Sequence, residues 1–330
     1  MAREIFYNRA LNEALAEEMR RDPNVILWGI DIGPYGGANG VTQGLQEEFG
    51  AERVIDMPVS ELAYVGMGVG AAATGIRPVI ELQFSDWITL ASEMIINQAA
   101  KMRYMFGGII EMPLVIRAPV GGYLSAGAQH SNSFESLFSF VPGIKVIMPA
   151  TPYDAKGLLK SAIRDNNTVI FFEHKKLYGM KAHVPVEEYL IPIGEAEVKR
   201  EGSDVTIVTY SYMVHYCLSA AEKLAAEGID VEIIDLRTVD PLDRTMIIKS
   251  VKKTSRLVIV QETWADCSIS SEIAALAVSS ELFFYLDAPV ERVTAKDVPI
   301  PFSPPLEEFV LPGELDIVDA VYKTLDREPA

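Results

Sequence analysis

Residues 60–84, SELAYVGMGVGAAATGIRPVIELQF, contain the change of pattern that decides the fold. The first part, 60–75, is mainly small and apolar with helical spacing, and the second, 78–84, is a short, mainly apolar run. Such a run is typical of a strand whose two faces are both covered, as in a parallel sheet packed between helices. The stretch therefore predicts a helix followed by an inner strand of a parallel α/β sheet.

The same alternation continues along the chain in both directions. Residues 174–203 interrupt it with a Lys-, Pro- and Glu-rich stretch that predicts an interdomain connection. The sequence thus predicts an α/β protein with two domains, residues 1–190 and 191–330, and an extended proline-rich end at 298–312. The supporting segments are apolar runs at 25–31, 113–119, 145–149, 168–173, 204–210, 230–236 and 256–262, and helical patterns at 91–105 and 153–165.

Composition excludes several classes of function. The 330 residues are 49% hydrophobic, and 29 basic against 46 acidic side chains give a net charge of −17. That charge argues against nucleic acid and anionic membranes as partners. The longest apolar stretch, 62–76, is shorter than the ~20 residues of a membrane-spanning helix. Cys217 and Cys267 have no disulfide or zinc spacing, so we expect a cytoplasmic protein without membrane association.

Glycines at 66, 68 and 70 lie within a helical pattern and not at a strand-to-helix turn, so they form no dinucleotide-binding fingerprint. Gly66 and Gly70 are four residues apart and share one helix face, which allows another helix to approach closely. That helix belongs either to the same chain or to another subunit.

Two titratable residues stand out as candidates for proton transfer. Glu61 follows Ser60, an expected N-cap, and most first-turn glutamates merely complement the helix dipole. Its neighbours are mainly apolar, however, which predicts a poorly solvated carboxyl suited to proton exchange. His130 lies in AGAQHSNS, a polar loop after a buried strand, where active-site loops of α/β sheets gather.

Trp87 follows the strand at 78–84 and is either a core residue or a flat wall for an aromatic ligand. Gln83 adds a polar group at the same strand end. In contrast, residues 204–330 show no pattern of buried acids or histidines, so we expect no catalytic side chain there.

These residues lie in segments that resemble the β subunits of thiamine-diphosphate-dependent 2-oxo acid dehydrogenases, particularly those of the acetoin and pyruvate dehydrogenase type. The resemblance covers nearly the whole chain. It implies an N-terminal pyrimidine-binding parallel-sheet domain and a C-terminal transketolase-like α/β domain. The matching segments include MPVSELAYVGMGVGAAATGIRPVIELQF, NQAAKMRYMFGG, PLVIRAPVGG, GAQHSNS, FFEHKKLYG and VPIPFSP.

The resemblance implies roles for individual residues. Glu61 corresponds to the glutamate that hydrogen-bonds N1′ of the cofactor's aminopyrimidine ring, and Trp87 and Gln83 correspond to contacts beside that ring. His130 corresponds to the histidine near the reacting carbon and the incoming lipoyl group. The positions that correspond to a structural monovalent cation site, a possible K⁺, are Leu114, Ala162, Ile163, Asp165 and Asn167.

The resemblance also implies partners. Thiamine diphosphate would be shared with an α subunit that holds Mg²⁺, because the Gly-Asp-Gly segment expected for diphosphate binding is missing from this sequence. An α₂β₂ enzyme would cleave a small oxo substrate, acetoin or a 2-oxo acid, and transfer the acyl unit to a lipoylated acyltransferase core.

Two alternatives stay open. One is a transketolase-like carboligase that uses the same cofactor, and the other is a non-catalytic assembly subunit, against which the presence of both Glu61 and His130 argues. The chain departs from its relatives at Ile30, where they usually carry an acidic residue, and in the YLSAGA segment at 123–128.

Overall fold

The computed structural model describes residues 3–327, which divide into two compact units. The first unit comprises the chain up to Val120 together with Leu137–Ile193, and the second comprises Gly121–Ser136 and the chain from Gly194 onward. Segment 121–136 therefore groups with the second half of the chain, although it lies within the predicted first domain. The boundary between residues 190 and 191 stays a prediction.

The first unit is an α/β structure whose helices separate successive strands. Its strands are β1 (Arg3–Phe6), β2 (Val25–Gly29), β3 (Val54–Asp56), β4 (Arg77–Glu81), β5 (Val115–Val120), β6 (Ile144–Ile147), β7 (Thr168–His174) and β8 (Lys181–Val184). Its helices are α1 (Tyr7–Arg21), α2 (Leu45–Phe49), α3 (Glu61–Ala73), α4 (Ala100–Met105) and α6 (Pro152–Arg164), and a short helix α5 (Glu135–Ser139) begins in segment 121–136.

The main sheet of this unit has the strand order β6-β7-β5-β4-β2-β3, and every neighbouring pair is parallel. Every residue of β5 and β7 is buried, as the continuous apolar runs predict. The small pair β1 and β8 is antiparallel and separate from this sheet. The α/β prediction with a mainly parallel sheet is therefore confirmed.

The second unit is a smaller α/β layer with its own hydrophobic core. Strands β10, β11, β13 and β14 are parallel, and β9 joins β11 as an antiparallel edge strand. The core includes Val205, Ile233 and Ile317, all fully buried. The elements are β9 (Glu197–Arg200), β10 (Val205–Thr209), β11 (Val231–Asp235), β12 (Thr238–Asp240), β13 (Leu257–Trp264), β14 (Glu291–Ala295), α7 (Met213–Ala226), α8 (Arg244–Thr254), α9 (Ile269–Ser279), α10 (Pro304–Val310) and α11 (Glu314–Thr324).

Two local predictions are wrong. The spacing of residues 91–105 predicts one α-helix, but a 3₁₀ segment (Ser85–Ala91) and a π-helical segment (Glu93–Ala99) precede α4. Tertiary packing sets such wide turns, and apolar spacing alone does not record them. The proline-rich end is expected to be extended, yet α10 forms there, because proline is compatible with the first turn of a helix.

Within residues 3–327, no helix is both long enough and apolar enough to cross a membrane.

Candidate active site

The strand order of the first unit creates a crevice at the carboxyl ends of β2 and β4. The chain leaves β2 toward β3 on one side and leaves β4 toward β5 on the other, so these two neighbouring strands form a topological switch point. Ligands of open α/β sheets bind at such points. Gln83 follows β4 and Asp31 follows β2, and the Gln83 Nε2 to Asp31 Oδ2 distance is 3.5 Å.

Glu61 is the first residue of α3, and only 6% of it is exposed. The preceding Ser60 occupies the N-cap position, but its side chain makes no capping hydrogen bond. Val59 and Leu62 are exposed, so the apolar neighbours in sequence are not what covers the carboxyl. The prediction that Glu61 is buried is correct, and the helix that it begins packs against β4 and the 85–99 segment.

Tyr64 lies one helical turn after Glu61 and is almost completely buried. Its hydroxyl has no hydrogen-bond partner among residues 3–327. Burial, followed by the charges of Glu61 and Glu81, raises the pKa of Tyr64 well above its ordinary value. The hydroxyl is therefore a proton donor beside two acids. The spacing of three residues from Glu61 on one helix face was the sequence signal that could have identified it.

Trp87 is half-buried and lies in the 3₁₀ segment that packs against α3. Its ring meets Phe84 edge to face, with ring centroids 5.2 Å apart and an interplanar angle of 75°. Trp87 is therefore not a fully buried core residue, and part of its surface stays accessible. Gln83 is also half-buried. The structure thus places Glu61, Gln83 and Trp87 on elements at the carboxyl edge of one sheet.

A buried ion cluster, which was not predicted from the sequence, lies within the sheet. Arg117 on β5 donates to Glu81 on β4 (2.7 Å) and to both oxygens of Glu173 on β7 (2.7 and 2.8 Å). Tyr178 donates a further bond of 2.7 Å to Glu173. Burial raises the pKa of Glu81, which receives only one bond from the shared guanidinium. Charged residues inside the apolar runs PVIELQF, PLVIRAP and TVIFFE were the available signal.

His130 belongs to the second unit, in segment 121–136, and is half-buried. Its backbone N–H donates to the carbonyl of Gly127 at 3.2 Å. His130 therefore lies in a loop, as predicted, but this loop belongs to the second unit. The same unit contains buried acids that were not predicted from the sequence.

The predicted cation residues cluster around the end of α6 in the first unit. Arg77 donates to the carbonyl oxygens of Ile163 (2.9 Å) and Asp165 (2.7 Å). Burial opposes ionisation of Asp165, but its bonds with Lys145 and Asn167 keep the pKa of this carboxyl below its ordinary value. Two of the predicted ligand carbonyls therefore already bind a guanidinium, and a K⁺ ion would have to use their second lone pairs.

The remaining predicted cation ligands are engaged by the backbone. The carbonyl of Leu114 accepts from Val169 N–H at 2.8 Å, and that of Ala162 accepts from Asp165 N–H at 3.2 Å. The Asn167 side chain bonds Asp165 and Arg103. Among residues 3–327 there is no cluster of three or more His, Cys, Asp or Glu side chains arranged to hold a metal ion.

The first unit is a parallel sheet with a buried glutamate at its carboxyl edge, and the chain is of the transketolase class. Residues 3–181 match the transketolase pyrimidine-binding domain, and residues 194–317 match the transketolase C-terminal domain. The chain belongs to the family of β subunits of thiamine-diphosphate-dependent acetoin and 2-oxo acid dehydrogenases, as its resemblance implies. It is thus a subunit of a thiamine-diphosphate-dependent oxidoreductase of this type.

Similar proteins match over almost their whole length. The acetoin:2,6-dichlorophenolindophenol oxidoreductase subunit beta of Cupriavidus necator is 49% identical, over 98% of this chain and 98% of its own. The 2-oxoisovalerate dehydrogenase subunit beta of Bacillus subtilis is 46% identical, over 97% and 98%. The pyruvate dehydrogenase E1 component subunit beta of Rickettsia felis is 48% identical, over 97% and 98%.

A solved structure supports the fold. A split-gene transketolase, described as an inactive β₄ tetramer, superposes with a TM-score of 0.81, over 98% of this chain and 100% of its own, at 24% identity. This confirms the prediction of two transketolase-type α/β domains.

Proposed function

We propose that this chain is the β subunit of an α₂β₂ enzyme that cleaves acetoin or a 2-oxo acid and passes the acyl unit to a lipoyl group on a partner acyltransferase. The observation that carries the proposal is the buried carboxyl of Glu61 at the carboxyl edge of the sheet in a pyrimidine-binding domain. A carboxyl in that position is suited to exchange a proton with a ring nitrogen of a bound cofactor.

The residues around Glu61 fit the aminopyrimidine half of thiamine diphosphate. The Tyr64 hydroxyl is buried without a partner among the described residues, so a polar group entering the crevice would satisfy it. Trp87 offers accessible aromatic surface, and Gln83 offers an amide. When bound, thiamine diphosphate supplies a nucleophilic carbon and an electron sink. In this proposal, Glu61 holds and moves the proton, while Trp87 and Gln83 orient the ring and exclude water.

The diphosphate and its Mg²⁺ are assigned to the α subunit, since this chain carries no Gly-Asp-Gly segment. The outer face of α3 supports an α partner, because it is apolar and exposed at Leu62 and Met67. Gly66 faces Met94 of the same chain, whereas a Cβ placed on Gly70 would have no atom within 4 Å. The glycine face thus serves packing within the chain at Gly66 and is open to a partner helix at Gly70.

His130 is proposed to serve proton transfers that involve the incoming lipoyl group, because it is a half-buried histidine in a loop, and histidine is a common general acid or base. We propose acetoin and pyruvate-like 2-oxo acids as the substrate class, because relatives named for acetoin, pyruvate and 2-oxoisovalerate have similar sequence identities to this chain.

The test compares Glu61→Gln with wild type after reconstitution with an α subunit, using an artificial electron acceptor. An amide cannot exchange the ring-nitrogen proton, so we expect turnover to fall by about 100-fold or more while the fold is kept. Glu47→Gln is the matched control, because Glu47 is an exposed glutamate in the first turn of α2. Near-wild-type turnover of Glu61→Gln would refute the assignment.

The acceptor is tested separately. Reconstituted enzyme is offered either a lipoylated acyltransferase domain or an aldehyde, and products are identified. We expect acylation of the lipoyl group. Formation of a ligated product, without lipoyl acylation, would instead identify the carboligase alternative.

A further inference from the structure

Segment 121–136, which carries His130, has a backbone that needs support. Gly121 and Gly127 have positive φ angles of 92° and 78°, and the non-glycine residues Tyr123 and Ser125 have φ angles of 62° and 53°. Residues other than glycine rarely adopt this left-handed backbone conformation, because it brings Cβ close to the following carbonyl group. The surrounding structure must therefore hold the segment in this shape.

Two carboxylates from distant elements of the same unit bind the backbone of this segment. Glu262 on β13 accepts a hydrogen bond from Gly122 N–H at 2.6 Å. Glu307 on α10 accepts from Ser125 N–H at 2.8 Å and from the Ser125 hydroxyl at 3.2 Å. Both acids are buried, with 7% and 4% of their surface exposed. The two carboxylates accept hydrogen bonds from backbone N–H groups that have no partner in a regular helix or strand.

A third carboxylate fixes the other end of the segment. Glu135, only 1% exposed, accepts from the Tyr210 hydroxyl at 2.8 Å and from the Thr263 hydroxyl at 3.1 Å. Thr263 directly follows Glu262 on β13, so one strand contacts both ends of the segment. His130 lies between these ends, and the Gly121 N–H to Asn132 carbonyl contact of 3.4 Å brings the two sides of the loop together.

Simple structural capping would not require carboxylates. Burying a charged group is costly, and a neutral side chain could accept a backbone hydrogen bond at lower cost. Charge-assisted bonds are shorter and stronger than neutral ones, which suits a loop that must hold strained backbone in one geometry. The Glu262 and Glu307 bonds both lie on the strained stretch of the loop, a few residues before His130.

We propose that Glu262, Glu307 and Glu135 are positioning residues that hold the His130 segment in its working conformation. The inference rests on the proposed role of His130 in acyl transfer. The three acids do not touch the reacting groups in this proposal. Glu262 and Glu307 act through the backbone of segment 121–136, and Glu135 acts through its bonds to the Tyr210 and Thr263 hydroxyls.

The first test is amide hydrogen exchange of the wild-type protein, which needs no variant to fold. The Gly122 and Ser125 amides bind buried carboxylates, so we expect them to exchange at least about tenfold more slowly than the amide of exposed Leu124. Equal exchange at all three positions would overturn the proposal.

The second test uses three variants. Glu307→Leu removes the acceptor at similar volume, Glu307→Gln keeps an acceptor oxygen, and Glu308→Leu is the control, because Glu308 is the exposed neighbour. We expect Glu307→Leu to speed Ser125 exchange by about tenfold or more and to lower lipoyl-dependent kcat by about 10–100-fold, with a smaller effect on KM. Glu307→Gln should recover most of both losses, and Glu308→Leu should change neither.

The two proposals fail in different ways. If wild type shows no lipoyl-dependent turnover while the Ser125 amide is protected, the proposed function is wrong and the loop anchoring stands as a structural fact. If wild type turns over and Glu307→Leu alters loop exchange without any change in kcat, the anchoring does not position His130, and the inference is wrong.

Discussion

Arg117 and Glu173 form a two-pronged ion pair inside the first unit, with Nε–Oε1 and Nη2–Oε2 distances of 2.7 and 2.8 Å. Burial alone would lower the pKa of Arg117, but the charges of Glu173 and Glu81 hold it well above its ordinary value. The guanidinium therefore stays charged within the sheet and links three adjacent strands, β4, β5 and β7, near the carboxyl edge that carries the candidate site.

Removing this guanidinium should destabilise the protein strongly. Arg117→Met would leave Glu81 and Glu173 buried without a cation, and breaking a buried pair in this way typically costs about 3–5 kcal/mol. We expect a loss of that size in the free energy of unfolding, measured by urea denaturation followed by circular dichroism.

The Arg20–Glu48 pair provides the control, since it has the same two-pronged geometry on the surface. Arg20→Met should cost no more than about 1 kcal/mol, because exposed ion pairs contribute little. Equal losses for the two variants would show that burial does not determine the strength of the Arg117 cluster.

Two glycines of α3 should respond to alanine in opposite directions. A Cβ on Gly70 would meet nothing within 4 Å, so Gly70→Ala should stabilise the isolated chain by up to about 1 kcal/mol through helix propensity. A Cβ on Gly68 would lie 2.4 Å from Ile80 Cδ1 and 3.3 Å from both Leu114 and Trp28. Gly68→Ala should therefore destabilise the chain by about 1 kcal/mol or more. Thermal unfolding of both variants measures the two changes in stability. Changes of the same sign would contradict the prediction.

The stability of the second unit should depend on pH through Glu135. Burial, reinforced by the charge of Glu262, raises the pKa of Glu135 above its ordinary value of 4.5, against the hydrogen bond from Tyr210. The folded chain therefore binds this proton more tightly than the unfolded chain. Its stabilising contribution is fully present below pH 4.5 and is lost as the pH rises through the raised value.

We therefore expect wild type to lose stability relative to Glu135→Gln as the pH rises from about 4.5 to neutrality. The glutamine keeps an acceptor for Tyr210 but cannot ionise. Urea denaturation at several pH values gives the difference in free energy of unfolding, and Glu308→Gln is the exposed control. A difference that is constant with pH would contradict the expected titration.

Apolar patterning was sufficient to predict the α/β class and most strands, because buried parallel strands leave mainly apolar runs such as PLVIRAP. Glu61 could also be selected from the sequence, because it is a charged residue at the start of an otherwise apolar helix. Three local features could not be predicted from the sequence, because side-chain rotamers and tertiary contacts decide them. They are the lack of a capping hydrogen bond from the Ser60 side chain, the π-helical segment and α10.

The buried acids show a second limit of sequence reading. Glu262 and Glu307 are separated by 45 residues, and nothing in the sequence links them, yet both bind the same short loop. Their role depends on which distant backbone N–H groups they bind after folding, and a single sequence does not show which groups those are. This is why residues 204–330 were expected to lack buried acids, an expectation that the structure contradicts.

The isolated chain should not bind thiamine diphosphate tightly without an α subunit. The first unit offers Glu61, Gln83 and Trp87 for the ring of thiamine diphosphate, but the sequence has no Gly-Asp-Gly segment for the diphosphate and carries a net charge of −17, which repels an anion. We expect calorimetric titration of the purified chain with thiamine diphosphate and Mg²⁺ to show no binding at micromolar concentrations. Adding the α subunit should produce micromolar or tighter binding, and Glu61→Gln should weaken it in the reconstituted protein. Micromolar binding together with turnover by this chain alone would refute a site divided between two subunits.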